Sequence, residues 1–265
     1  MEDIQFEQLY SEVEIYFSNQ CKSTQSLCKL LVQNKANSPY APSLLVNHIG
    51  VYCLNQTNGI GQNNNQWHSE NGKNLAITFA ISIQKHWNLI ELNKILTISV
   101  LHAIQNFTQT QLTIKWPNDI FSDDKKLSGI LFEIQNINNQ KIAFFGVGIN
   151  INQTDFPQNL VSATSLFQIN QIETNIYSVL MSLIENVHGH LQKLDNQFQI
   201  HVDFQKHLWR LNENVTLRIA DGDGFKREQF ILVDVDFEGR IVVVNGNGDQ
   251  LKFHHGQAFI DLSII

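Results

Sequence analysis

Two lysines of this sequence stand where their charge could be used for chemistry. Lys115 opens the segment Lys-Trp-Pro-Asn-Asp at residues 115–119, and its proline, which has no amide hydrogen, predicts that a strand ends there. Lys126 precedes the apolar run at residues 127–133, where Gly129 allows a ligand or another backbone to approach closely. Two such ammonium groups could stabilise a phosphate or a carboxylate. The alternatives are an ordinary strand exit and a solvated lysine pair in a hairpin turn.

Two further segments combine glycine with side-chain amides. Residues 56–62 have the sequence Gln-Thr-Asn-Gly-Ile-Gly-Gln, and Trp67 closes this stretch; its two glycines supply backbone amides and flexibility. Residues 146–152 have the sequence Gly-Val-Gly-Ile-Asn-Ile-Asn. The second segment is not a phosphate loop, because no Gly-Lys-Ser/Thr follows it. A mobile surface loop and a glycine-containing core strand are the alternative interpretations.

The periodicity of apolar residues predicts the elements that must position these segments. One helix is predicted to start at Ser23 and Thr24, and its buried side would carry Leu27, Leu30, Leu31 and Val32. Further helices are predicted at 89–107 and 170–194. Strands are predicted at 14–17, 44–54, 75–83, 112–115, 129–134 and 141–151. The polar stretch 55–73 is of a length that is usually functional or disordered.

The last part of the chain has a different pattern. Short strands separated by glycine-containing turns are predicted at 215–219, 229–235, 241–244, 251–253 and 258–262. Short strands in such close succession indicate a small barrel. We therefore expect a catalytic domain at residues 1–208 and a barrel domain at 209–265.

Composition limits the class of protein. Of the 265 residues, 43% are hydrophobic and 16% are charged, which is typical of a folded globular chain. The net charge of −7 argues against nucleic-acid binding but permits a local phosphate site. There is no basic leader and no run of about 18 apolar residues, so we expect a cytoplasmic protein with no membrane span. Cys21, Cys28 and Cys53 form no CxxC motif and are interpreted as buried free thiols.

Taken together, these segments resemble the biotin protein ligase family over essentially the whole chain. The pentapeptide KWPND followed by KKLSGILFE carries the resemblance, and GVGININ and residues 163–166 follow in the expected order. The resemblance implies an α+β (α/β) fold, namely a central mixed β-sheet with helices on one side, as in the class II synthetase-like biotin/lipoate ligases. It also implies that the C-terminal barrel is SH3-like.

The resemblance implies a reaction as well. ATP and biotin would be the substrates, Mg²⁺ would assist, and biotinyl-5'-AMP would be the intermediate. The biotin would then pass to a lysine of a biotin carboxyl carrier protein. A ligase for lipoate or octanoate on the same fold and a non-catalytic biotin-binding protein are the alternatives. Monomer and homodimer both remain open.

The family's charged and nucleotide-binding positions map onto this sequence by resemblance. Lys126 would contact the biotin carboxylate and the activated phosphoryl group, and Lys115 and Asn118 would face the nucleotide phosphates. Asp119 would orient the metal or the acceptor lysine. The remaining ATP-binding residues implied are Asn150, at the adenine, and Trp67.

The biotin-binding positions map in the same way. Besides Lys126, the resemblance implies contacts from Ser23, Thr24, Gln25, Gln56, Gly59, Ile60, Gly61, Gln62, Gly129 and Leu131. The family usually has Asn after the Ser-Thr pair, where this chain has Gln25. Because that pair falls at 23 and 24, no room remains for the N-terminal DNA-binding module of some members. We therefore expect the single-function form.

One departure from the family concerns charge. The family's glycine-rich loop usually carries several arginines, whereas residues 59–67 here are Gly-Ile-Gly-Gln-Asn-Asn-Asn-Gln-Trp. Asn and Gln cannot replace the bidentate binding of phosphate by arginine. We expect slower adenylation or leakier release of the intermediate, with residues 57–67 acting as a lid.

Overall fold

The computed structural model describes residues 4–10, 13–37, 48–62, 65–160, 162–194, 196–222 and 224–263. Its helices are α1 (Thr24–Ala36), α2 (Leu89–Gln105), α3 (Leu166–Asn170), α4 (Ile176–Leu191) and α5 (Gln197–Lys206). Within this part of the chain, every helix is too short or too polar to span a bilayer.

The strands alternate with these helices along the chain. They are β1 (Ile4–Tyr10), β2 (Val13–Ser18), β3 (His48–Cys53), β4 (Gly59–Ile60), β5 (Gln66–Trp67), β6 (Leu75–Ser82), β7 (Leu112–Lys115), β8 (Asp119–Ser122), β9 (Lys125–Ile137), β10 (Gln140–Ile149), β11 (Asn214–Asp221), β12 (Gly224–Val235), β13 (Ile241–Val244), β14 (Gln250–Phe253) and β15 (Ala258–Ile260). Of the strand predicted at 44–54, residues 44–47 lie outside the described residues.

The chain divides into two compact units. The first contains Met1–Trp87, Leu127–Asn159 and Thr164–Met181, and the second contains Asn88–Lys126, Leu160–Ala163 and Ser182–Ile265. The chain therefore passes between the units several times. The division at 208/209 that the sequence suggested stays a prediction.

The first unit is built on a mixed sheet with the strand order β1-β2-β3-β6-β10-β9. Strands β2 and β3 run parallel, whereas the other neighbours are antiparallel. Seven consecutive residues of β6, Leu75 to Ile81, are buried, so both faces of the sheet are covered. This arrangement confirms the predicted central mixed sheet.

Helix α1 packs on this sheet through Leu27, Cys28 and Val32. The prediction that Leu30 is buried is wrong, because the side chain is 56% exposed. The buried stripe passes through residues 25, 28, 32 and 36, at spacings of three and four, and position 30 lies off that stripe. The predicted burial of the three free cysteines is confirmed.

The second unit contains the hairpin of β7 and β8 and the C-terminal antiparallel sheet, with the order β14-β13-β12-β11-β15. The five strands predicted at the C-terminal end are confirmed, and β11 and β12 are longer than expected. Trp116 Nε1 donates a hydrogen bond to Gly239 O at 3.0 Å, which ties the turn after β7 to this sheet. Closure of the sheet into a barrel stays a prediction.

Two predicted elements differ in extent. The helix predicted at 170–194 is α4, which begins only at Ile176. Asn170 belongs to the preceding helix α3, which ends there because Gln171 adopts a left-handed conformation (φ 59°). The strand predicted at 129–134 is wrong at its start, since β9 already begins at Lys125. Strand β8 was not expected, because Asp119 is a common turn residue; here it pairs with Lys115 across the hairpin.

Candidate active site

A network of polar side chains, of which Gln56 is half-buried and the others are buried, lies in the first unit where α1 begins. The backbone N–H of Thr24 donates to Gln56 Oε1 at 2.8 Å, and the Thr24 hydroxyl lies 3.1 Å from the same oxygen. Thr78, in the middle of β6, brings its hydroxyl to within 3.0 Å of Thr24 Oγ1 and 3.2 Å of Gln25 Oε1. We call Thr24, Gln25, Gln56 and Thr78 the polar network.

Gln25 is the member of the polar network that reaches furthest. Its Nε2 donates to Glu133 Oε2 at 2.7 Å and to Phe144 O at 3.4 Å. Only 4% of its surface is exposed. Ser23 precedes the network at the N-cap position of α1; it is buried, and its side chain makes no capping hydrogen bond.

The strands beneath the network carry small residues on the same face. Gly146 of β10 is opposite both Thr78 of β6 and Leu131 of β9, and Gly148 is opposite Gly129. A Cβ atom on Gly146 would lie 2.7 Å from Gln25 Oε1. The glycine therefore makes the space that the Gln25 amide occupies.

Trp67 occupies the corresponding space at Gly148. A Cβ atom on Gly148 would lie 2.4 Å from Cε2 of the indole, so the ring packs directly on the glycine backbone. Two residues further on, Asn150 donates through Nδ2 to Thr164 O at 2.9 Å. Both Trp67 Nε1 and Asn150 Oδ1 are buried without a hydrogen-bond partner among the described residues. One donor and one acceptor thus remain for a ligand.

The predicted lid segment is partly ordered by its own hydrogen bonds. Strands β4 and β5 pair Gly59 with Trp67, and the Gly61 N–H donates to Asn65 O at 2.7 Å. Gln62 Nε2 donates to Ile130 O at 2.9 Å. Ile60 is 44% exposed. Residues 63 and 64 of the predicted lid lie outside the described residues.

A group of charged side chains lies in the second unit, at the hairpin of β7 and β8 and the start of β9. Lys126 Nζ lies 2.8 Å from Asp119 Oδ2, and Asp119 is the cross-strand neighbour of Lys115. Burial lowers the pKa of the Lys115 ammonium, Asp119 opposes this change, and the charges of Lys126 and Arg218 lower the pKa further. We call Lys115, Asp119 and Lys126 the charged cluster.

The residues around the charged cluster hold its turn in place. Asn118 is buried, and its Nδ2 donates to Asn93 Oδ1 of α2 at 3.2 Å. The Trp116 ring makes an edge contact with His255, with 5.6 Å between the ring centroids. Trp116 therefore has a structural role in addition to its place next to Lys115.

The charged cluster offers a magnesium ion one carboxylate, that of Asp119. Among the described residues there is no group of three or more His, Cys, Asp or Glu side chains that could hold a metal. Mg²⁺ is usually held by one or two carboxylates together with substrate phosphates and water. A single carboxylate fits an ion that arrives with a nucleotide and does not fit a resident metal site.

The predicted site residues thus form two groups. Ser23, Thr24, Gln25, Gln56, the 59–62 segment, Trp67, Gly129, Leu131 and Asn150 lie in the first unit, and Lys115, Asn118, Asp119 and Lys126 lie in the second. Sequence reasoning missed the contributions of Thr78, Glu133 and Asn93. A lone hydroxyl inside the apolar run of β6 was the available signal for Thr78.

Comparison with known proteins finds a family that matches about half of the chain. Residues 19–150 match the model of the "Biotin/lipoate A/B protein ligase family". The bifunctional ligase/repressor BirA of Bacillus subtilis is 36% identical over 126 residues, which is 44% of this chain and 38% of that protein. The alignment thus spans less than half the length of this curated relative.

Solved structures share the fold. Biotin protein ligase from Aquifex aeolicus, in complex with biotin and ATP, superposes with a TM-score of 0.74 at 23% identity, covering 93% of this chain and 98% of that chain. The Leishmania major biotin protein ligase, with biotinyl-5-AMP, gives a TM-score of 0.63 at 16% identity, covering 92% and 99%. At these identities the likeness shows the fold alone.

Proposed function

Because the chain belongs, through residues 19–150, to the biotin/lipoate A/B protein ligase family, we propose that it is an ATP-dependent biotin protein ligase. It would form biotinyl-5'-AMP from biotin and ATP and then transfer the biotin to a lysine of a biotin carboxyl carrier protein. We place this reaction in the cytoplasm, where the three buried thiols stay reduced.

The observation that carries the proposal is the direction of the Gln56 amide. Its oxygen accepts from the Thr24 backbone N–H, which can only donate, so the orientation of the amide is fixed. Its Nε2 therefore points the other way and offers donors to a ligand. A ureido carbonyl, as in biotin, is an acceptor that matches these donors, whereas the dithiolane ring of lipoate has no such group.

The burial of the polar network supports the same preference. Thr24 is 4% exposed and Thr78 is fully buried, so water does not compete for the hydrogen bonds of these groups. A site that hydrogen-bonds its substrate discriminates strongly against an analogue that lacks the polar group, because buried groups of the protein are left unpaired. Recognition at this network thus favours biotin over lipoate.

In the first half-reaction, an oxygen of the biotin carboxylate attacks the α-phosphorus of ATP, and pyrophosphate leaves. Both reactants are anionic, so positive charge must be held in place before they react. We assign this task to Lys115 and Lys126. Asn118 contributes an amide to the phosphates, and the free acceptor of Asn150 can receive the adenine amino group. Magnesium carried by the nucleotide would neutralise further phosphate charge.

In the second half-reaction, the amine of the carrier lysine attacks the carbonyl carbon of the mixed anhydride, and AMP leaves. Asp119 is our candidate for orienting the incoming amine. The segment 57–67 would close over the anhydride and exclude water, which would otherwise hydrolyse it. Because this segment carries no arginine, we expect the adenylate to be held less tightly than by an arginine-rich loop.

Transfer of labelled biotin tests the proposed function. Purified protein, tritiated biotin, ATP and Mg²⁺ should label a biotin carboxyl carrier domain covalently, and label should be absent when ATP is omitted or the acceptor lysine is replaced by arginine. An excess of lipoate should not compete. Tight biotin binding without covalent transfer would identify a binding protein instead, and effective competition by lipoate would favour the lipoate ligase alternative.

A further inference from the structure

A charged pair on the outside of the first unit is connected to the polar network through one hydrogen bond. Lys29 Nζ, one turn after Gln25 on α1, lies 2.6 Å from Glu133 Oε2. The same carboxylate oxygen accepts from Gln25 Nε2 at 2.7 Å. The side chains of Lys29 and Glu133 are 26% and 41% exposed, whereas Gln25 is buried. The pair therefore reaches from solvent to the buried amide.

This connection depends on the length of the side chain at position 25. The Gln25 amide packs against Gly146, where a Cβ atom would lie 2.7 Å from Oε1, and its Nε2 donates to Glu133. An asparagine is one methylene shorter and could not make both the contact with Thr78 and the contact with Glu133. The glutamine, the glycine and the glutamate therefore form a matched set.

The carboxylate also determines which way the amide faces. An ionised carboxylate only accepts hydrogen bonds, so it selects the Nε2 end of Gln25 and turns Oε1 towards the Thr78 hydroxyl. The Phe144 carbonyl accepts from the same Nε2 at the longer distance of 3.4 Å and favours the same orientation. Burial raises the pKa of Glu133, but hydrogen bonds from Lys29 and Gln25 and the Lys29 charge outweigh it, so the pKa lies below its usual value. The acceptor is consequently kept ionised at neutral pH.

We propose that Glu133, held by Lys29, is a positioning residue that fixes the amide of Gln25 and thereby tightens the recognition of biotin by the polar network. This inference rests on the proposed function. Glu133 acts through Gln25 and does not itself contact a substrate. Its effect should therefore appear in the affinity for biotin and should not appear in the affinity for ATP.

The test measures the Kd of biotin by calorimetry and the KM values of biotin and ATP in pyrophosphate release. Glu133→Leu should raise the Kd and KM for biotin about tenfold, as for loss of a hydrogen bond to a charged group, with the KM for ATP within twofold of the unmodified protein. Glu133→Gln keeps an acceptor for Gln25 and should restore most of the affinity. Lys29→Met should cost about threefold, since the carboxylate remains.

A matched control is available on the same helix. Lys35 of α1 forms an ion pair with Glu14. Among the described residues, neither member of this pair is hydrogen-bonded to Gln25. Lys35→Met removes a comparable surface ion pair and should leave the Kd for biotin unchanged. Circular dichroism and thermal melts of each variant verify that the fold is retained.

A double-mutant cycle distinguishes positioning through Gln25 from a general structural role. Gln25→Asn should lose about as much biotin affinity as Glu133→Leu, and the double variant should lose no more than either single variant. Additive losses, or equal effects of Glu133→Leu and Lys35→Met on biotin affinity, would overturn the inference. Failure of the unmodified protein to bind biotin would instead refute the proposed function, and the inference with it.

Discussion

The polar network and the charged cluster solve two different problems of recognition. Three of the four members of the network, Thr24, Gln25 and Thr78, are almost completely buried, with at most 4% exposure, and Gln56 is half-buried. In the charged cluster, the side chains of Lys126 and Asp119 remain 35% and 18% exposed. Burial makes neutral groups specific, because a buried donor or acceptor that a wrong ligand leaves without a hydrogen bond costs binding free energy. Charged groups lose hydration when they are buried, and Lys126 and Asp119 stay partly exposed as an ion pair, whereas burial lowers the pKa of Lys115.

This contrast predicts that the largest loss of activity follows removal of charge. Lys126→Ala should reduce the rate of biotin-dependent pyrophosphate release by about a hundredfold or more, as when one essential charge-stabilising donor is lost. The neighbouring Lys125→Ala removes an exposed lysine at the adjacent position of β9 and should leave the rate within about twofold. Near-normal pyrophosphate release by Lys126→Ala would refute the assignment.

The next effect concerns the space beneath the indole. Gly148→Ala places a Cβ atom 2.4 Å from Cε2 of Trp67, and a rigid ring can relieve this overlap only by moving. Overpacking of this kind costs about 1–3 kcal/mol of stability. Because the indole must shift, we also expect the KM for ATP to rise about tenfold, which corresponds to a loss of about 1.4 kcal/mol in binding. Gly246→Ala is the control, since a Cβ atom there meets nothing within 4 Å. An unchanged KM for ATP would contradict the assignment of Trp67 to the nucleotide site.

A smaller effect tests the neutral side of the comparison. Thr78→Val keeps the shape of the side chain but removes the hydroxyl that joins Thr24 to Gln25. Leaving a buried acceptor unpaired costs about 1–3 kcal/mol, so the KM for biotin should rise about fivefold or more. Thr97→Val, which removes an equally buried hydroxyl from α2, should affect stability and leave the KM for biotin unchanged. Equal KM values for the two variants would contradict this role of Thr78.

The smallest predicted effect concerns pH and stability. Burial, together with the nearby His190 and His207, lowers the pKa of His102 in the second unit to about 4. Because this value lies below the ordinary one of 6.5, the unfolded chain takes up the proton first as the solution is acidified. The stabilisation is thus complete above pH 6.5 and decreases as the pH falls towards 4.

Thermal melts at pH 7 and pH 5 measure this dependence. His102→Phe should lose less Tm between the two values than the unmodified protein, by about 2–4 °C for each kcal/mol involved. His86→Gln, which replaces an exposed histidine, controls for the loss of an imidazole and is melted at the same two pH values. Identical pH dependence in the His102 variant and the unmodified protein would argue against this source of acid sensitivity.

The sequence predicted the elements better than the contacts between them. The periodicity of α2 and the alternation in β6 identified those elements to within about two residues, because long apolar patterns leave few alternatives. Strand β8 was missed since four residues following a proline turn carry little pattern. The end of α3 at Gln171 depends on a left-handed conformation that no glycine marks.

The site shows the same limit. The motifs containing Lys115 and Lys126 are local in sequence and could be recognised directly. The polar network instead joins residues 24, 25, 56 and 78 and contacts Glu133, and tertiary structure brings these distant positions together. Nothing in the sequence near Gln25 indicates that its partner is Glu133, 108 residues away. Long-range hydrogen bonds of this kind follow from tertiary structure.

The division of labour between neutral and charged groups is tested most directly by measuring the KM values for biotin and ATP, together with kcat, in Thr78→Val and Lys115→Met. We expect a crossed pattern, in which Thr78→Val raises only the KM for biotin and Lys115→Met lowers kcat and raises only the KM for ATP. If both variants change the same parameters for both substrates, the two regions do not have separate tasks.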